Sequence, residues 1–168
     1  LKPEKALIIT IASAIAVCKT LKQTCGLDTG IKWPNDIISN GKKICGILSE
    51  MSCETNAIEY IVVGIGINVL QDKEDFSRAI REMAASVYTE TGRKYRRSDI
   101  IAALCYNMQE VYSHVKACKT DEIINSWKEF SVTDGKRIRI TTDGVEKAAF
   151  AEGIDGQGRL IIRNDDGE

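Results

Sequence analysis

The hydrophobic pattern first predicts a long helix near the start of the chain. Apolar side chains recur there every three to four residues, on one helical face, at Leu7, Ile11, Ile15, Cys18 and Leu21. Pro3 suits a first helical turn, and Gly26 is typical of the position after a last turn. The pattern therefore predicts a helix from Pro3 to about Thr24. Its apolar run, residues 7–17, is too short to span a bilayer, so a buried helix is favoured over a membrane or signal segment.

Segments in which apolar and polar residues alternate, and segments that are continuously apolar, then predict a group of strands. The predicted strands are Ile31–Trp33, Ile44–Glu50 and Glu59–Val69. Pro34 ends the first of them, and Asn35-Asp36 begins a turn. Ser39–Lys42 contains an Asn-Gly pair, which favours a tight hairpin because both residues tolerate a positive φ. The last strand is almost continuously apolar, so we expect it at the centre of the sheet.

After Gln71 the apolar residues return to helical spacing. One amphipathic helix is expected to bury Phe76, Ile80, Met83, Ala84 and Val87. A second begins at Ser98, a favourable N-cap, and is expected to bury Ile101, Leu104, Cys105, Met108, Val111, Tyr112 and Val115. A shorter helix is predicted at Glu122–Phe130.

Alternation resumes at Gly135 and predicts a small antiparallel β unit. Its expected strands are Arg137–Thr141, Lys147–Gly153 and Arg159–Arg163. A turn is expected at Thr142-Asp143-Gly144, and the pattern is still in progress at Glu168. We therefore expect two parts, residues 1–132 and residues 133–168.

Composition narrows the class of protein. The chain has 168 residues, 43% hydrophobic and 28% charged, which is enough for one ordinary domain with a small appendage. Its net charge of -1 gives no general attraction to nucleic acid or to an anionic membrane, and the basic cluster Arg93–Arg97 is expected to be a solvated linker. The six cysteines form no C-x-x-C pair, so reduced thiols and a cytoplasmic location are expected. His114 is the only histidine, and nothing supports Ser/His or Cys/His catalysis.

Three short segments contain the polar candidates for chemistry. They are Lys32–Asp36, Gly41–Leu48 and Val63–Val69. The predicted hairpin returns Lys43 to the neighbourhood of Asp36, because paired strands lie side by side. Gly64 and Gly66 omit side chains where a ligand or another backbone would collide. On residue types alone, a surface salt bridge beside two sheet glycines is the commoner arrangement.

In this order and spacing, Lys-Trp-Pro-Asn-Asp, Gly-Lys-Lys-Ile-Cys-Gly-Ile-Leu and Gly-Ile-Gly-Ile-Asn-Val resemble the core of the biotin protein ligases. The resemblance is strong over about residues 5–70, loose to about residue 130, and moderate in Gly153–Gly158. Lipoate ligases share the fold and an active-site lysine, but not the Trp-Pro-Asn-Asp segment. The resemblance implies an α+β fold. Its catalytic part is a mixed sheet with packed helices, similar to class II synthetases, at 1–132, and an SH3-like β barrel follows at 133–168, both incomplete.

The resemblance also implies a two-step reaction. ATP would activate biotin to biotinyl-5'-AMP, and the biotinyl group would then pass to a lysine of a biotin carboxyl carrier protein, as in acetyl-CoA carboxylase. Lys43 would bridge the biotin carboxylate and the α-phosphate. Asp36 would hold Mg²⁺ or orient Lys43, although a turn cap is the alternative for this aspartate.

The same resemblance assigns five binding residues. Asn35 and Asn68 would hydrogen-bond adenine, while Gly46, Leu48 and Gly64 would line the biotin slot. Asparagines are also frequent at turns and strand ends, and glycines in sheets often serve packing alone. Those structural alternatives stay open for each residue taken singly.

Members of the family carry a glycine- and arginine-rich loop before the first of these helices, and no residue here matches it. We therefore expect a fragment with little activity of its own. A non-catalytic nucleotide- or biotin-binding module is an alternative, and a biotin operon repressor is another if a DNA-binding domain precedes this segment. A homodimer formed through a sheet edge also stays open.

Overall fold

The computed structural model describes residues 6–54, 57–142 and 144–164, so the expectations for Pro3, Asp143 and Glu168 lie outside the described residues. The helices are α1 (Ala6–Cys25), α2 (Val87–Thr91), α3 (Arg97–Lys116) and α4 (Thr120–Phe130). The strands are β1 (Gly30–Lys32), β2 (Asp36–Ser39), β3 (Lys42–Glu54), β4 (Ala57–Ile67), β5 (Arg137–Thr142), β6 (Val145–Ile154) and β7 (Leu160–Asn164). They form one sheet in the order β1-β2-β3-β4 and another in the order β5-β6-β7. The predicted α+β fold is confirmed, and all neighbouring strands in these sheets are antiparallel.

Helix α1 forms the centre of the core. It packs against the first sheet, α3 and α4, and its fully buried side chains include Ile11, Ile15 and Leu21. By length and composition α1 could cross a membrane, but 67% of its apolar window is buried inside the fold, as the sequence predicted. The helix ends as expected at Gly26, which has a φ of 64°. Gly26 N–H donates to the Lys22 carbonyl, and the following N–H donates to the Leu21 carbonyl, which satisfies the last turn.

The predicted hairpin joins β2 to β3. Asn40 and Gly41 have φ values of 47° and 79°, as a two-residue turn with the twist of the flanking strands requires. Ser39 Oγ and Asn40 Nδ2 donate to the Glu90 carboxylate at 3.0 and 2.6 Å. The tip of the hairpin is therefore attached to α2.

Among the described strands, β4 does not have the position that was predicted for it. This strand was expected at the centre of the sheet, but it is an edge strand that pairs with β3 alone among the described strands. Tyr60 and Val62 are each 56% exposed. A continuous apolar run indicates that both faces of a strand suit burial, but it does not specify which strand lies on either side.

The helix predicted over residues 76–87 does not form. Its middle is a series of turns, and only the end, from Val87, begins a helix. Lys43 N–H donates to the Met83 carbonyl at 2.7 Å, and Ala85 N–H donates to the Lys43 carbonyl at 2.8 Å. These bonds hold residues 83–85 beside β3 after the turns, and Ile80 and Met83 are exposed instead of buried.

The buried face of α3 also differs from the prediction. The helix begins at Arg97, so Ser98 lies inside the first turn and is not the N-cap. Ile101, Cys105 and Tyr112, expected inward, are exposed, and the buried positions are Ile100, Asn107, Val111 and Val115. Packing on α1 selects this face, because the Asn107 amide donates to Thr20 Oγ1 at 3.0 Å.

The segment before β5 contacts β1, and the turn between β6 and β7 contacts Trp33, which follows β1. Trp33 Nε1 donates to the Gly158 carbonyl at 2.9 Å, and Val132 N–H donates to the Ile31 carbonyl at 3.0 Å. Val132 approaches Gly30 so closely that a Cβ on this glycine would overlap it. These contacts place the small sheet beside the end of the first sheet that carries the candidate residues.

Candidate active site

The candidate site begins as a row of residues across the first sheet. Strand pairing aligns Lys32 with Asp36, Asp36 with Gly46, and Gly46 with Gly66. Residues directly opposite each other on neighbouring strands lie on the same face, with strands about 4.8 Å apart. One end of the row is therefore charged, and the other end has no side chains.

The ion pair predicted between Lys43 and Asp36 is present in the structure. A register shift between Ile37 and Ile38 places Lys43 opposite Ile38 while Asp36 faces Gly46. The Lys43 side chain is 49% exposed and the Asp36 side chain 25%. The ammonium group is thus held by the carboxylate but stays accessible to a ligand.

Gly46 provides the space that the Lys43 side chain occupies. A Cβ on Gly46 would lie 3.2 Å from both Cε and Nζ of Lys43. A Cβ on Gly66 would come no closer than 3.7 Å to the Gly46 carbonyl. A side chain at Gly46 would therefore press on the Lys43 side chain, which would have to shift by a few tenths of an ångström.

Two cavities meet at Lys43. The first, of about 640 Å³, is lined in part by Lys32, Asp36, Lys43, Gly46, Gly66 and Asn68. The second, of about 520 Å³, is lined by Asn35, Lys43, Gly46, Ile47, Leu48, Gly64, Ile65 and Gly66. The two cavities share Lys43, Gly46 and Gly66. This arrangement can bring two ligands to one ammonium group.

All seven predicted site residues line one of these cavities, but the two asparagines are separated. Asn68 lies in the first cavity with Asp36, whereas Asn35 lies in the second with Leu48 and Gly64. Asn35 Nδ2 donates to the Ile47 carbonyl at 2.8 Å, and Asn68 Nδ2 donates to the Ala85 carbonyl at 2.9 Å. Each Nδ2 thus uses one of its two N–H groups on a backbone carbonyl, which leaves the other N–H and the carboxamide oxygen for a ligand.

Sequence reasoning missed part of the first cavity. Phe76, Ile80, Met83 and Ala84 form its apolar side. Capping groups were the available signal, because the Ser86 side chain accepts from Thr89 N–H at 3.0 Å and starts α2 just after this segment. The sequence pattern was therefore better suited to a turn followed by a short helix than to one long helix.

Cys45 also lines the first cavity and was not singled out from the sequence. Burial, foremost, raises the pKa of the Cys45 thiol to about 12. Cys18 in α1 lies close enough to raise it further, and its own pKa is raised by burial to about 12. Both thiols are therefore neutral at physiological pH and unsuited to act as nucleophiles.

The carboxylates near the site are few. No group of three or more histidine, cysteine, aspartate or glutamate side chains suited to a metal occurs among the described residues. Asp36 is the one carboxylate among the described residues that line the two cavities. A single carboxylate fits Mg²⁺, which commonly takes one or two protein carboxylates together with phosphate oxygens and water.

Comparison with known proteins defines the class first. The family model described as the biotin/lipoate A/B protein ligase family matches residues 2–68, which include every candidate site residue. In structure, the chain is similar to the apo biotin protein ligase of Aquifex aeolicus, with a TM-score of 0.85 at 23% identity over 99% of this chain and 73% of that chain. The same ligase in complex with biotin and ATP matches with a TM-score of 0.82 at 23% identity, over 99% of this chain and 70% of that one.

The relatives found by sequence are biotin ligases rather than lipoate ligases. The bifunctional ligase/repressor BirA of Bacillus subtilis is 32% identical over 95% of this chain and 49% of the relative. The biotin–[acetyl-CoA-carboxylase] ligase of Paracoccus denitrificans is 29% identical, over 92% of this chain and 66% of the relative. Biotin–protein ligase 2 of Arabidopsis thaliana is 38% identical, over 95% of this chain and 50% of the relative. These comparisons support a biotin protein ligase, and the chain spans about half the length of the first of these relatives.

Proposed function

We propose that the protein is an ATP-dependent biotin protein ligase. It activates biotin to biotinyl-5'-AMP and transfers the biotinyl group to a lysine of a biotin carboxyl carrier protein. The observation that carries this proposal is the position of Lys43, which lines both cavities and is held by Asp36. The names of the relatives and the ligand-bound Aquifex aeolicus ligase support it.

The chemistry of the first step explains why a lysine is needed between two cavities. The biotin carboxylate must approach the α-phosphate of ATP, and both groups are anionic. The Lys43 ammonium between them offsets this repulsion as a compact point charge. Asp36 orients the ammonium and would hold Mg²⁺, which would neutralise charge on the phosphates.

The two cavities suggest which ligand binds where. We assign the nucleotide to the first, where Asn68 supplies a carboxamide and Phe76 supplies an apolar surface for the base. Biotin takes the second, where Gly64 leaves room for the ring and Leu48 and Asn35 lie at its sides. Residues 1–132 form the catalytic part, and residues 133–168 form the SH3-like part.

Pyrophosphate release that depends on both biotin and ATP tests this function. Lys43→Ala should lower the rate by about 10²–10³, the cost of removing one charge-stabilising group. Lys42→Ala is the matched control, because strand alternation points the adjacent lysine to the other face. Circular dichroism should show equal folding of all three proteins.

The possible results separate the hypotheses. Equal release by Lys43→Ala and the unchanged protein would show that the lysine has been assigned wrongly. Binding of nucleotide without any biotin-dependent release would favour the non-catalytic module.

We further propose that residues 1–168 alone act slowly, because none of them matches the glycine- and arginine-rich loop that would shield the adenylate from water. The Bacillus subtilis relative, assayed beside this chain, provides the reference rate. Equal rates for the two proteins would contradict the proposal.

A further inference from the structure

Residues 83–90 join the two strands that carry the candidate site, and we call this segment the strap. Lys43, near the start of β3, pairs with the strap through both its N–H and its carbonyl, at 2.7 and 2.8 Å. Asn68, just after β4, accepts from Val87 N–H through its carbonyl at 2.9 Å, and its Nδ2 donates to the Ala85 carbonyl at 2.9 Å. The strap therefore contacts both the lysine and the asparagine of the first cavity.

Glu90 lies at the end of the strap, in α2, and contacts the tip of the β2–β3 hairpin. One of its carboxylate oxygens accepts from Ser39 Oγ at 3.0 Å and from Asn40 Nδ2 at 2.6 Å. Ser39 is only 3% exposed, so without Glu90 its buried hydroxyl would lose the acceptor that the fold gives it. Glu90 forms no ion pair with a cation in the part of the chain that the structure describes. Its carboxylate is therefore used to hold the hairpin and not in a surface ion pair.

The position of the hairpin tip affects the position of Lys43. The hairpin carries both charged groups of the site, Asp36 in β2 and Lys43 in β3. Lys43 follows Asn40 by only three residues, so a shift of the tip would be passed on to the lysine. Apart from the two bonds to Glu90, no side-chain hydrogen bond joins Ser39 or Asn40 to the rest of the chain that the structure describes. Without Glu90 the tip would be held by its backbone and by packing alone.

We propose that Glu90 is a positioning residue for Lys43. It holds the hairpin tip against α2, so that the strap keeps the ammonium group where the two cavities meet. Glu90 is not among the described residues that line either cavity, so it acts through the hairpin and not by contact with a ligand. Its importance for catalysis rests on the proposed ligase function.

Amide hydrogen exchange tests the positioning without an assay of activity. Glu90→Ala should speed exchange of the Lys43 N–H by about tenfold, the size expected for the loss of a hydrogen bond to a charged group. Glu90→Gln keeps a carbonyl oxygen that can accept from the hairpin, so it should restore most of the protection. Glu110→Ala is the matched control, because it removes a carboxylate of α3 that pairs with Lys19. Unchanged exchange at Lys43 in Glu90→Ala would overturn the proposal.

A double-mutant cycle with Lys43→Ala tests whether Glu90 acts through the lysine. If the protein is a ligase, Glu90→Ala should lower kcat for biotin-dependent pyrophosphate release by about tenfold and leave the KM for biotin nearly constant. The reason is that the ammonium group stabilises charge that develops in the transition state. In the Lys43→Ala background the same change should have no further effect, because the group that Glu90 positions is gone. An equal further loss in that background would indicate a purely structural role and would overturn the proposal.

The two experiments separate this proposal from the proposed function. Faster exchange at Lys43 in Glu90→Ala, when the unchanged chain shows no biotin-dependent release, would retain the positioning by Glu90 and reject the ligase. Biotin-dependent release that Glu90→Ala leaves unchanged would retain the ligase and reject the role of Glu90.

Discussion

Gly46 illustrates how single residues control this site. Its role follows from the side chain it lacks, since a Cβ there would press on Cε and Nζ of Lys43 at 3.2 Å. The sequence predicted Gly46 as part of the biotin slot, and the second cavity is consistent with that prediction. The contact with Lys43 adds a second reason for glycine, which only the folded chain reveals.

Gly46→Ala should displace the Lys43 ammonium while leaving the fold intact. The ammonium would have to shift by a few tenths of an ångström, so the rate should fall, by less than the about 10²-fold that a displacement of about 1 Å can cause. Biotin-dependent pyrophosphate release is the measurement, with melting temperature as the check on folding. Gly156→Ala is the matched control, because a Cβ there meets nothing closer than Thr120 Cγ2 at 3.9 Å. Equal rates for the two variants would contradict the role given to Gly46.

Among the elements, the β2–β3 hairpin is the one that builds the site. It returns Lys43 to Asp36, and its turn could be predicted because Asn-Gly acts locally on the backbone. Helix α1, helix α4 and the strands of the small sheet were also predicted, since their patterns are clear within one element. The conformation of the segment before α2 was not predicted, because it depends on hydrogen bonds to Lys43 in a strand that is distant in sequence.

Gly41→Ala should destabilise the protein by about 1 kcal/mol, since a side chain at a φ of 79° strains the backbone. Nothing lies within 4 Å of a Cβ placed there, so the effect would come from the backbone alone. Urea unfolding measures the free energy. Gly64→Ala is the control, because its φ lies outside the left-handed region and its nearest contact, the Leu48 carbonyl at 3.5 Å, is ordinary. If Gly64→Ala lowered the free energy of unfolding as much as Gly41→Ala, the strained turn would not be the cause of the lost stability.

In the whole molecule, the packing of α1 on the first sheet determines which thiols react. Cys18 of α1 and Cys45 of β3 are buried together, whereas Cys105 and Cys118 are exposed. Burial raises the pKa of Cys18 and of Cys45 to about 12. The two thiols therefore stay protonated well above neutral pH, and in the folded protein they form the reactive thiolate only as the pH rises toward about 12.

Iodoacetamide at pH 8 should label Cys105 and Cys118 within minutes but leave Cys18 and Cys45 unmodified. Peptide mass spectrometry identifies the labelled residues. The same reaction in urea should label all four, which provides the control for intrinsic reactivity. Rapid native labelling of Cys45 would mean that α1 does not cover the sheet as described.

The sequence by itself determined the helices and strands with clear local periodicity, the hairpin, and the meeting of Lys43 with Asp36. These features depend on residues within one or two neighbouring elements, so the spacing of residues in the sequence is enough to predict them. Tertiary structure decided the edge position of β4, the buried face of α3, and the separation of Asn35 from Asn68 into two cavities. It also brought Lys32 together with Arg139, more than 100 positions away. The type of a residue, apolar or charged, indicates only which environment it favours. The packing of elements that are distant in sequence determines which residues form that environment.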